Sequence, residues 1–94
     1  MKKAYLFVYN DDVGTRDEVK KTLSEMPEIT HWRYDMPNCF YVISEASAKQ
    51  LAEHLRQLKP NGMFIFTEMA GNEYGWLTSE SWYLIQKKAY KPTK

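Results

Sequence analysis

The chain contains few of the residues that cross-link or interrupt a small fold. It has one cysteine, four glycines and four prolines among 94 residues. A single cysteine excludes an internal disulfide framework and a cysteine-based metal cluster. No apolar run has the length that a bilayer-spanning helix needs, and the short run after Lys2 and Lys3 is too short for a signal-peptide core. We therefore expect a cytoplasmic protein without a membrane segment.

The charge of the chain is unevenly distributed. The net charge is +1, but both ends are basic, and the residues between them include seven basic and twelve acidic side chains. A basic tail begins at about residue 87, where Lys87, Lys88 and Lys91 could contact phosphate groups through counterion release. Lysine-rich ends are also typical of ordinary solvated termini. Nucleic-acid binding by these lysines is thus a weak prediction.

The order of sequence patterns predicts an α+β fold in one domain that spans residues 1–94. Strands are expected at residues 4–9, 29–35, 39–44 and 63–69, because β-branched and aromatic residues are concentrated there. Helices are expected after Thr15 and Ser47, each followed three residues later by the Glu or Gln of a capping box. A short last helix is expected, with Thr78 or Ser79 as its N-cap.

This β-α-β-β-α-β order predicts a ferredoxin-like sandwich. Right-handed crossovers around a central hairpin give a four-stranded antiparallel sheet with strand order 4-1-3-2. Both main helices then cover the same face of the sheet. The opposite face remains open unless the C-terminal helix or a partner covers it.

The first strand has two apolar rows, and alternation sends them to opposite faces. We assign Leu6 and Val8 to the face under the helices. The other row then lies on the open face, where aromatic side chains on two neighbouring strands would form a dimer interface. These predicted interface residues are Tyr5, Phe7, Tyr9, Phe64 and Phe66.

Three candidates could cover this face: the C-terminal helix with Trp76 and Trp82, a second copy of the chain, or single-stranded RNA stacked on the aromatic rings. Residues 38–43 lack the leading basic residue and the glycines of the RNA-recognition signature. The sequence therefore favours a protein partner over RNA.

Asn10, Asp11 and Asp12 follow the first strand and are the candidates for metal chemistry. Clustered oxygen ligands at a strand end can bind Mg²⁺, with Asn10 and Asp11 as metal ligands and Asp11 or Asp12 as the catalytic carboxylate. Asn and Asp are also common turn residues. A loop and turn cap is the simpler interpretation.

Other potentially reactive side chains are isolated in the sequence. His31 and His54 have no cysteine or acid at ligand spacing, and Cys39 begins a strand, where a small buried side chain is commoner than a nucleophile. The loop between Gly71 and Gly75 matches neither phosphate-binding glycine motif. No cofactor or small-molecule ligand is predicted.

Three segments carry a family resemblance: "KAYLFVYND", "FYVISEASAKQLAEHL" and "PNGMFIFTEMAGNEYGW". Across most of its length the chain resembles small bacterial SinR-like proteins, which are similar to the second CRISPR-associated protein, a subunit of the adaptation complex. The resemblance implies a ferredoxin-like homodimer. In the CRISPR-associated relatives an aspartate follows the tyrosine that ends the first strand, and the two copies share a metal there.

This chain has Asn10 at that position, and a neutral amide binds Mg²⁺ less well than a carboxylate. We therefore expect a non-catalytic homodimer that binds protein, or nucleic acid. The alternative is a metal-dependent endonuclease that cleaves RNA or DNA and uses Asp11 or Asp12 with Mg²⁺.

Overall fold

The computed structural model describes residues 1–92, which form a four-stranded antiparallel sheet and three α-helices. The strands are β1 (Lys3–Tyr9), β2 (Ile29–Arg33), β3 (Cys39–Ser44) and β4 (Phe64–Glu68). The helices are α1 (Arg16–Glu25), α2 (Ala48–Leu58) and α3 (Ser79–Lys87). The strands lie in the order β2-β3-β1-β4, which is 4-1-3-2 when read from the β4 edge. This α+β architecture is compatible with the predicted ferredoxin-like sandwich.

The two main helices begin at the predicted capping boxes. The Glu18 amide donates to Thr15 Oγ1 at 3.3 Å, and the Thr15 amide donates to Glu18 Oε1 at 2.8 Å. Ser47 and Gln50 make the same reciprocal pair at 3.1 and 2.8 Å. Each box satisfies two backbone groups that a helix start otherwise leaves free, so the local sequence determines where α1 and α2 begin.

The assignment of faces on β1 is wrong. The aromatic row, Tyr5, Phe7 and Tyr9, lies under α1 and α2 in one cluster with Leu23 and Leu51, while Leu6 and Val8 lie on the other face. Phe64 and Phe66 also belong to the cluster under the helices. Four of the five predicted interface residues, Tyr5, Phe7, Tyr9 and Phe66, are therefore buried in the helix-side core of a single chain, and Phe64 is partly buried against that core.

Packing geometry explains this choice of face. The Phe7 ring stacks on Phe66 with centroids 4.5 Å apart and on Tyr9 with centroids 5.1 Å apart. Offset ring pairs of this kind form a broad, stable apolar layer that two helices can cover. On the opposite face, the small side chain of Ala4 leaves room for a third helix.

Helix α3 occupies that opposite face. Its Leu84 and Ile85 pack with Ala4, Tyr41 and Ile43 in a second buried cluster. Of the three predicted covers, the C-terminal helix covers this face of the sheet, with Trp82 packed at the margin and Trp76 left exposed. The covered face is the one that carries Leu6 and Val8.

Candidate interaction surface

The residues after β1 connect the segments that lead into β3 and β4 at one end of the sheet. The Asn10 amide donates to the Met63 carbonyl at 2.9 Å, and the Met63 amide donates to Asn10 Oδ1 at 3.1 Å. Asn38 Nδ2 donates to Asp11 Oδ1 at 3.0 Å, and Asp12 is exposed in the same short 3-10 turn. Within residues 1–92, no group of three or more His, Cys, Asp or Glu side chains is placed to hold a metal ion. The structure thus shows that Asn10 and Asp11 make hydrogen bonds that hold the loops at this end of the sheet together.

The histidines and the cysteine lie in separate surroundings. His54 Nδ1 is 2.6 Å from Glu28 Oε2, a contact that joins α2 to the start of β2 and that sequence spacing gave no means of finding. Burial, with a smaller contribution from Lys2, lowers the pKa of His31. Burial raises the pKa of the Cys39 thiol, which reduces its thiolate fraction and its nucleophilicity.

Polar contacts hold the start of α3 on the sheet. Arg33 Nε donates to Ser81 Oγ at 3.1 Å, and Thr78 Oγ1 donates to Asp35 Oδ1 at 3.1 Å. The Tyr41 hydroxyl is buried close by, and burial together with the Asp35 charge raises its pKa. These contacts fix the position of α3 and so determine which part of the sheet stays exposed.

The structure does not bring the tail lysines into one site. Lys88 Nζ donates to the Ile85 carbonyl at 2.7 Å at the end of α3. Lys91 Nζ lies 3.5 Å from Ser79 Oγ at the beginning of the same helix, and Lys87 is exposed. Because α3 has nine residues, its ends are about 13 Å apart. The Lys88 side chain therefore caps the C-terminal end of α3.

An apolar patch remains exposed on the α3 side of the sheet. Val8 and Ile65 are cross-strand partners there, and Ile65 is 59% exposed. The segment between β4 and α3 has a second exposed apolar pair, Tyr74 and Trp76, which are 88% and 87% exposed with ring centroids 5.5 Å apart. Large apolar side chains left exposed are typical of interaction sites. Sequence reasoning noted Trp76 as part of a cover but did not identify this patch.

The two edges of the sheet differ. At the β2 edge, the Tyr90 hydroxyl accepts from the Trp32 amide and donates to the Trp32 carbonyl, both at 3.1 Å. At the β4 edge, an open groove of about 790 Å³ separates the strand from α2. Phe64 lines the groove from the strand and Arg56 lines it from the helix. The β4 edge is thus the more accessible of the two.

Comparison with known proteins adds no relative to this description. No family model, curated protein or solved structure matches the chain. The resemblance to SinR-like proteins therefore stays a prediction. Among residues 1–92, no helix has both the length and the apolar character to cross a bilayer.

Proposed function

We propose that this chain is a ferredoxin-like, non-catalytic module of the cytoplasm that forms a homodimer and acts by binding protein. The observation that carries the proposal is the set of large apolar side chains that a single chain leaves exposed on β4 and in the segment between β4 and α3. These side chains are Ile65, Tyr74 and Trp76, and they form the proposed interaction surface. This surface replaces the aromatic row of β1 as the predicted interface.

Dimer formation would be favourable because it would bury large apolar side chains that a single chain leaves in water. An aromatic residue buries about 150–250 Å² when it is covered. At about 25 cal/mol per Å², covering both Tyr74 and Trp76 would release several kcal/mol before the costs of association are subtracted. A domain of this size has a small stability margin, so a partner that covers this surface also stabilises the fold.

Metal-dependent nuclease activity is the alternative proposal, and the geometry favours it less. Asn10 and Asp11 make hydrogen bonds that hold loops together, and Asp12 is exposed beside them. The alternative predicts Mg²⁺- or Mn²⁺-stimulated cleavage of RNA or DNA that Asp11→Ala abolishes. Cleavage that is unchanged by this substitution or by a chelator would eliminate it.

Light scattering coupled to gel filtration tests the proposed dimer. The purified chain should have twice the monomer mass at tens of micromolar, and Ile65→Asp should shift the equilibrium toward monomer by placing a charge in the interface. Met36→Asp is the matched control, because Met36 is an exposed apolar residue outside this surface, between β2 and β3. A monomeric wild-type chain at this concentration would refute the proposal.

A further inference from the structure

The hydrogen bonds between β1 and β4 determine which backbone groups of β4 point outward. The Asn10 amide bonds the Met63 carbonyl and the Met69 amide bonds the Ala4 carbonyl, so these pairs lie just outside the two ends of the β1–β4 ladder. Bonded pairs alternate along an antiparallel ladder, and the residues between them turn their N–H and C=O groups away from β1. The residues of β4 that face outward are Phe64, Phe66 and Glu68.

The β4 edge has only one charged side chain against pairing. Natural sheets protect an edge with charged side chains, lysine above all, or with proline, a bulge or a covering segment. The five residues of β4 include Glu68 but neither lysine nor proline, and their pairing with β1 is continuous from Tyr5–Glu68 to Tyr9–Phe64. The edge therefore presents a regular row of backbone donors and acceptors.

The groove beside this edge combines an apolar wall with an unpaired positive charge. Phe64 and Ala52 line it, and Arg56 stands at its α2 side. Glu53 in the same groove lies 4.0 Å from Lys49. Within residues 1–92, Arg56 makes no ion pair. The groove therefore suits a strand that brings a carboxylate to the position opposite Phe64.

The chain itself supplies such a strand. We propose that two copies pair through their β4 edges, antiparallel and centred on Phe66, to form one continuous sheet. In this register Phe66 pairs with Phe66 of the partner subunit, and Phe64 pairs with the partner's Glu68, so outward-facing groups meet along the strand. A twofold arrangement repeats each contact.

Charge complementarity supports this register over a shifted one. Opposite residues of paired strands project to the same face, so the partner's Glu68 lies on the helix side beside Phe64. There it approaches Arg56, which lacks a carboxylate partner within the described chain. Glu68 lies on the helix side in each copy, because it is the cross-strand partner of Tyr5, whose side chain packs there. The inference rests on the proposed homodimer and specifies its geometry.

A charge-reversal experiment tests the predicted Arg56–Glu68 contact. Arg56→Glu and Glu68→Arg should each weaken the dimer about tenfold in light scattering or sedimentation equilibrium, because each symmetric interface loses two ion pairs. The double variant should restore most of the affinity. Lys21→Glu is the control, since Lys21 is an exposed lysine on α1, away from β4.

Disulfide trapping tests the register directly. On the α3 side, Ile65 would oppose the partner's Thr67 in a non-bonded pair, with Cα atoms about 4.5 Å apart. This separation lies within the range that a disulfide spans. The variant Ile65→Cys with Thr67→Cys should therefore form a covalent dimer on mild oxidation. Each single variant is the control, because its two cysteines would be diagonal neighbours at about 7–8 Å.

The results separate this inference from the proposed function. A wild-type dimer, trapping of the double-cysteine variant and rescue by charge reversal support β4 pairing. A wild-type dimer without trapping or rescue overturns β4 pairing and leaves the homodimer standing. A wild-type monomer overturns both. Circular dichroism of each variant shows whether the fold is retained, and Glu68→Pro adds a variant that removes an outward N–H but no bond to β1.

Discussion

Phe7→Ala tests the placement of the aromatic row most directly. Phe7 is completely buried, and its ring stacks on Phe66 at an interplanar angle of 12°. Truncation removes this contact and leaves a cavity between the sheet and α2 that the stacked rings cannot fill. The expected cost is about 3–5 kcal/mol of unfolding free energy. A domain of this size has a total of about 5–14 kcal/mol, so the variant should be severely weakened.

Urea unfolding followed by circular dichroism measures this cost. With an m value of about 1.5 kcal/mol per M, the midpoint should fall by about 2–3 M. Ile65→Ala is the matched control, measured at a protein concentration low enough to keep the chain monomeric: Ile65 lies on the neighbouring strand but faces the exposed side, and its truncation should change the midpoint far less. A loss below about 1 kcal/mol for Phe7→Ala, or an equal loss at Ile65, would refute the assignment of faces.

Three further outcomes follow from local geometry. The hydrogen bond from the helix N-cap amide is the main cause that lowers the pKa of Glu18, so its carboxylate stabilises the fold above the ordinary pKa of 4.5. This contribution is lost as pH falls through the lowered pKa. Glu18→Gln should therefore be less stable than wild type at neutral pH, and the urea midpoints of the two proteins should converge in acid. Tyr90→Phe removes two hydrogen bonds at the β2 edge, and amide exchange there should be about fivefold faster for the loss of about 1 kcal/mol. A Cβ at Gly62 would lie 2.4 Å from a methyl group of Val13, so Gly62→Ala should cost about 1–3 kcal/mol in urea unfolding, whereas Gly75→Ala, which meets nothing within 4 Å, should cost much less.

Local signals in the sequence predicted the elements of the fold well. The capping boxes at Thr15 and Ser47 placed the starts of α1 and α2, and Thr78 caps α3 as one of the two residues expected. These predictions succeed because a cap depends on residues three positions apart, whose interaction is settled within one turn of helix.

The face of β1 could not be read in the same way. Both rows of this strand are apolar, so alternation separates Phe7 from Leu6 but does not say which one meets the helices. The deciding contacts are long-range: Phe66 extends the aromatic layer, and Ala4 provides the space that α3 fills. The small size of Ala4 was the available signal, since a bulky residue there would hold a third helix away from the sheet.

The candidate site depended on these long-range contacts as well. Ile65 is exposed because α3 does not extend over it. The contacts of Ser81 and Thr78 with Arg33 and Asp35 fix where α3 lies on the sheet. The neighbours of Asn10 similarly became known only when β4 was placed beside β1. Composition showed the aromatic content of the chain but not which rings the fold would leave uncovered.

The phenol of Tyr90 sets a limit on how far such sheets can grow. Its one oxygen both accepts from and donates to Trp32, so it takes the place that a residue of an added strand would need. A subunit that can be extended on both sides polymerises into filaments, whereas a subunit with one receptive side stops when that side is filled. In this chain, whose strands are rich in aromatic residues, the hydroxyl of Tyr90 therefore blocks the addition of a further strand at the β2 edge.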